Sequence, residues 1–75
     1  MPDYVERLIK EYKELNEKTD KLNKFLRRYR TGEVKELDCP SALLEEQARY
    51  MQKYLDILHM RLEIYGVKPE EVKNA

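Results

Sequence analysis

The sequence predicts an all-α protein: an antiparallel two-helix hairpin, coiled-coil-like, assembled into a helical bundle by homo-oligomerisation. Three observations predict it. Apolar residues recur at alternating spacings of three and four along two long stretches, the mark of a helix seam. Between the stretches lies a short segment with Gly32 and Pro40, residues that interrupt helices. The chain has only 75 residues. A domain of that size buries only about 60% of its unfolded surface, so regular packing or association must supply the rest.

The first seam runs through Val5, Leu8, Tyr12, Leu15, Thr19, Leu22, Leu26 and Tyr29, with Thr19 its one polar member. Pro2 suits a first turn and the Asp3 carboxylate suits the positive end of a helix. Gly32 stands just past a basic last turn, where a left-handed cap ends a helix. A helix over about residues 3–30 follows, a rod of roughly 40 Å at 1.5 Å per residue. Residues 31–40 form the connection.

The second helix covers about residues 41–65, with its seam at Leu44, Ala48, Met51, Leu55, Leu58, Leu62 and Tyr65. Asp38 or Ser41 is the expected N-cap, with Pro40 tolerated in the first turn. Gly66, followed by Pro69, gives the stop. Residues 1–66 thus make the hairpin. Residues 67–75 are a tail or a short helical turn, with Val67 folding back on the last turn of the helix. So short a connection folds the rods back on each other. Leu22 then falls near Ala48, Thr19 near Met51, Leu15 near Leu55 and Leu8 near Leu62, while Val34 and Leu37 cover the end.

A hairpin leaves one feature unexplained. The second helix carries another stripe, Leu43, Gln47, Tyr50, Tyr54, Ile57, Arg61 and Ile64, again spaced four and three. It widens the apolar arc to about 160°, more than one partner helix covers. Contiguous apolar patches mark binding surfaces, and tyrosine and arginine dominate interface energetics. This stripe is the candidate interface. Two hairpins joined there would form a two-fold four-helix bundle, and a foreign protein is the other possible occupant.

A second candidate lies where the first helix ends. Lys24, Arg27, Arg28 and Arg30 interleave with Phe25 and Tyr29. Lys24, Arg27, Arg28, Tyr29 and Arg30 could bind an anion, the arginines gripping phosphate while a ring stacks on a base. Against this, cations belong at a helix C-terminus, where they satisfy the last carbonyls. Glu36, Asp38, Glu45 and Glu46 can also neutralise them across the turn. The dipole accounts for several of these charges, so the capping reading carries more weight within one chain. In an oligomer such clusters could converge on a nucleotide.

The remaining residues mostly exclude. The 15 basic and 15 acidic residues balance, which argues for solvated helix faces and against a nucleic-acid binder. No stretch is apolar enough to span a membrane, and "MPDYVERLIK" has no secretory apolar core. Cys39 and His59 are each alone of their kind, which excludes an intrachain disulfide and a Cys- or His-based metal cluster. As a nucleophile and base they would lie roughly 30 Å apart along the second helix. The expectation is no enzyme and no cofactor.

The stretches "ERLIKEYKELNEKTDKLNKFL" and "LLEEQARYMQKYLDILHMRLE" resemble a family of small helical bacteriophage proteins first described from crAss-like phages. Carrying the resemblance are Lys13, Glu14, Leu15, Lys21, Leu22 and Phe25, then Leu44, Gln47, Met51, Tyr54, Leu55, Leu58, Arg61 and Leu62. It covers roughly residues 5 to 62 and brings no catalytic residues. It implies a phage accessory protein acting in the cytoplasm of the infected bacterial host. Such proteins work by binding: the expectation is a block on a host defence protein, the alternative an oligomeric sponge for its nucleotide signal, and the second alternative a structural or assembly role in the phage. These implications are analogies of family, not readings of a site.

Overall fold

Val5, Leu8, Tyr12, Thr19 and Leu26 are buried along one side of helix α1 (Asp3–Arg30), and Ala48, Leu55, Leu58 and Leu62 along one side of helix α2 (Ser41–Ile64). These are seam positions, and the two sides face each other in a computed structural model that describes residues 2–37 and 39–68. Leu8, Tyr12, Leu55, Leu58 and Leu62 form the central cluster, with Ile9, Leu15 and Val67 packed on it. Leu58 and Leu62 are wholly buried. The molecule measures 46 × 20 × 16 Å. That is one layer of two helices, each about 10 Å across, so each keeps half its circumference open.

Thr19 is 3% exposed within this apolar seam. Its hydroxyl donates to the carbonyl of Leu15 at 2.7 Å, so the polar atom is satisfied inside its own helix and needs nothing from α2.

Both helices end in the same way. Gly32 has φ 85° and Gly66 φ 77°, the left-handed region that a side chain resists. At the end of α1, the Gly32 N–H donates to Tyr29 and the Glu33 N–H to Arg28; at the end of α2, the Gly66 N–H donates to Glu63 and the Val67 N–H to Leu62. This is the Schellman arrangement, in which two backbone donors satisfy the last open carbonyls. It also turns Val67 back onto the core. A Cβ at Gly66 would meet no atom within 4 Å. The cost of Gly66→Ala is therefore conformational, about 1 kcal/mol, and thermal unfolding will read it as a lowered midpoint with no loss of helix.

The start of α2 differs from expectation. The N-cap is Pro40, with φ −58° and ψ 136°, and Ser41 is already helical. The Pro40 carbonyl accepts the N–H of Leu43 at 3.0 Å. Proline's fixed φ makes that extended-to-helical step without a side-chain bond. The helix thus begins with no side-chain cap and no acid in its first turn. Asp38, the other expected cap, lies outside the described residues, as does the tail from residue 69 on.

Candidate binding face

Two contacts fix which flanks of the helices meet on one side of the seam. The rings of Tyr4 and Tyr65 pack edge to face with centroids 5.4 Å apart. About two to three turns away, Tyr54 faces Glu11, and the hydrogen bond to that carboxylate, helped by burial and by the Glu11 charge, raises the phenol above its ordinary range. On the opposite flank Tyr12 lies against His59, centroids 6.5 Å apart, and His59 Nε2 is 2.8 Å from Glu63 Oε1. The second stripe of α2 therefore opens on the flank that carries Tyr4 and Glu11.

Every member of that stripe is exposed: Leu43, Gln47, Tyr50, Tyr54, Ile57, Arg61 and Ile64. Ile64 reaches 79% exposure and Leu43 60%. Helix α1 occupies the seam and meets the stripe at Tyr54, which faces Glu11, and at Arg61, which shares a cleft with Tyr4 and Arg7. Lys53 places its ammonium 5.6 Å from the Tyr50 ring and so borders the stripe. Behind it the surface is polar, with Arg49 paired to Glu46 and Gln52 bonded to Asp56.

The basic stretch is different. Lys24 is paired with Asp20 at 3.0 Å, Arg28 with Glu33 at 3.1 Å and Arg30 with Glu45 at 3.6 Å. Arg27 alone of the arginines there has no carboxylate partner among the described residues. At about 100° per residue the side chains fan around the helix, and Tyr29 points about 160° away from Arg27. Of the candidate anion-binding residues Lys24, Arg27, Arg28, Tyr29 and Arg30, three cations are thus taken up by carboxylates of their own chain. Phe25 instead lines a cleft of about 400 Å³ with Val34, Glu36, Leu37, Cys39 and Leu44, where the connection covers the hairpin's end.

A cation pair that sequence reasoning did not single out lies at the other end. Arg7 and Arg61, from different helices, line a cleft of about 230 Å³ together with Tyr4, Leu8 and Glu11. Arg7 Nε donates to the Asp3 carbonyl at 3.4 Å, and neither guanidinium is ion-paired among the described residues. Arg7 stands one turn from both Tyr4 and Glu11, but only the folding-back of α2 brings Arg61 beside it. Among the described residues no group of three or more His, Cys, Asp or Glu side chains is placed to hold a metal ion. No described helix is long and apolar enough to cross a membrane.

A family model with the description Sequestin matches residues 2–64, which takes in both helices and the connection. The chain belongs to the Sequestin family. The Sequestin match contains the whole α2 stripe and the Tyr4, Arg7, Glu11 and Arg61 corner, and it stops before the Gly66 turn. No curated protein and no solved structure matches the chain.

Proposed function

We propose that this Sequestin-family chain is a non-enzymatic binding protein that takes a ligand out of circulation, and that it works as an assembly of hairpins joined through α2. The observation that carries the reading is the stripe from Leu43 to Ile64, mostly apolar and exposed in every member although α1 packs along the adjoining seam. The family's name supports sequestration as the mode of action.

For the ligand we favour a small anion of the cyclic-nucleotide type. Arg7 and Arg61 are two guanidiniums without carboxylate partners among the described residues, set beside the rings of Tyr4 and Tyr65. Guanidiniums grip phosphate oxygens bidentately, and aromatic faces stack on bases. Arg27, at the opposite end of the hairpin, is a further cation without an ion-pair partner among the described residues. Glu11 borders the Arg7–Arg61 cleft and repels an anion, but Tyr54 engages its carboxylate. In this reading the setting is the cytoplasm of a phage-infected bacterium, where the ligand is a defence signal.

The second reading keeps the same face and changes the occupant. The stripe's apolar members, among them Tyr50, Tyr54 and Ile57, suit a host defence protein that the hairpin would block. Calorimetry against a panel of cyclic nucleotides, at low salt and micromolar protein, separates the two. The anion reading expects saturable heat that falls at least ~10-fold in affinity for Arg61→Glu, the size of losing one charge-assisted contact. A silent panel would leave the protein-blocking reading.

A further inference from the structure

The open face has an internal order that a random greasy patch lacks. We propose that it receives a second copy of this chain, packed α2 against α2 in antiparallel fashion, with the two-fold axis passing at Tyr54. The proposal rests on the self-association put forward above and specifies its geometry.

An antiparallel pair about that axis sets each stripe member opposite the one the same number of stripe positions from Tyr54 on the second copy, in register to within one residue. Leu43 meets Ile64, Tyr50 meets Ile57, and Tyr54 meets itself. Gln47, the stripe's one amide, meets Arg61, its one charge. Apolar therefore falls on apolar and polar on polar along the full length. A parallel pair would set Arg61 on Arg61, a like-charge contact within the interface.

A second observation gives the same axis independently. On the flank of α1 that borders the stripe, the exposed residues Glu11 and Glu14 precede Lys18 and Lys21. Acid lies toward one end and base toward the other. The rings of Tyr4 and Tyr65, and of Tyr12 and His59, fix which levels of α1 and α2 coincide, and they put the level of Tyr54 between Glu14 and Lys18. The axis that pairs the α2 stripes thus sets Glu14 opposite Lys18 of the second copy, and Glu11 opposite its Lys21. Lys21 is already held by Glu17 at 3.2 Å, whereas neither Glu14 nor Lys18 has an ion-pair partner among the described residues. The same operation carries Phe25 of the second copy toward Arg7. The Tyr4, Arg7 and Arg61 cleft would then be closed by a ring and by the basic helix end of the other chain, making two equivalent composite sites per dimer.

The test uses the full chain with Cys39→Ser, so that each introduced thiol is alone. Tyr54→Cys, Leu43→Cys and Ile64→Cys are compared by oxidative cross-linking, and sedimentation equilibrium reports association separately. The antiparallel axis expects Tyr54→Cys to form covalent dimer rapidly while Leu43→Cys and Ile64→Cys singly do not, and a mixture of the latter two to form heterodimer. Charge reversal supplies the second arm. Glu14→Lys or Lys18→Glu alone should weaken the dimer about tenfold through two symmetric like-charge contacts, and the exchanged double variant should regain it. A dimer in which Leu43→Cys and Ile64→Cys each link to themselves as fast as Tyr54→Cys overturns this geometry while leaving self-association standing. A chain that sediments as monomer at every concentration overturns both.

Discussion

Leu58→Ala is expected to lower the free energy of unfolding by about 3 kcal/mol, within the range for emptying a leucine site in a packed core. Leu58 is wholly buried and belongs to the five-residue cluster of Leu8, Tyr12, Leu55, Leu58 and Leu62. A two-helix layer has no second core on which to fall back. The stability of a small domain is about 5–15 kcal/mol in total and sits at the low end for chains this short, so the loss consumes much of it. Urea unfolding followed by circular dichroism gives the value directly. A cost near that of a surface substitution, a few tenths of a kcal/mol, would mean that the seam at Leu58 is not where the helices are joined. If the chain is dimeric, the measurement must hold concentration fixed, because folding and association are then linked.

The second large effect concerns association and leaves the monomer's fold in place. Tyr54→Glu with Ile57→Glu puts two carboxylates per chain into the middle of the open stripe. Both positions are about half exposed and contribute nothing to the buried cluster. Helical content should therefore be retained. Four carboxylates gathered at the centre of a dimer repel one another, and desolvating them is costly. The dissociation constant is expected to rise at least ~100-fold, equivalent to about 3 kcal/mol. Exposed aromatic substitutions at positions that touch nothing would leave the molecular mass unchanged.

The outline of the molecule was legible because the physics that makes it is local and periodic. Alternating three- and four-residue spacing marks a helix seam, and Gly32 and Gly66 mark where only a left-handed residue closes the last turn. The second stripe was legible for the same reason: its positions follow from the wheel once α2 exists. What its residues hold is not a property of the wheel, and no spacing rule supplies it.

The departures come from places where geometry between elements decides. Ser41 has the chemistry of a cap, yet Pro40 takes the position because its fixed φ performs the turn into helix without a side chain. The basic stretch around Phe25 and Tyr29 looked like one cluster along the chain. In three dimensions Lys24, Arg28 and Arg30 are each drawn to a carboxylate, Asp20, Glu33 and Glu45 respectively. Arg7 carried no signal at all, since its relation to Arg61 exists only after the hairpin closes. Charges gain meaning from their neighbours in space, while seams gain theirs from neighbours in sequence.

The most direct test of the account is sedimentation velocity of the intact chain over a concentration series from nanomolar to high micromolar. The account predicts a species of at least twice the 9.1 kDa chain mass, giving way to monomer on dilution. A single 9.1 kDa boundary across the whole series would contradict it, because the stripe from Leu43 to Ile64 would then face water as its ordinary state.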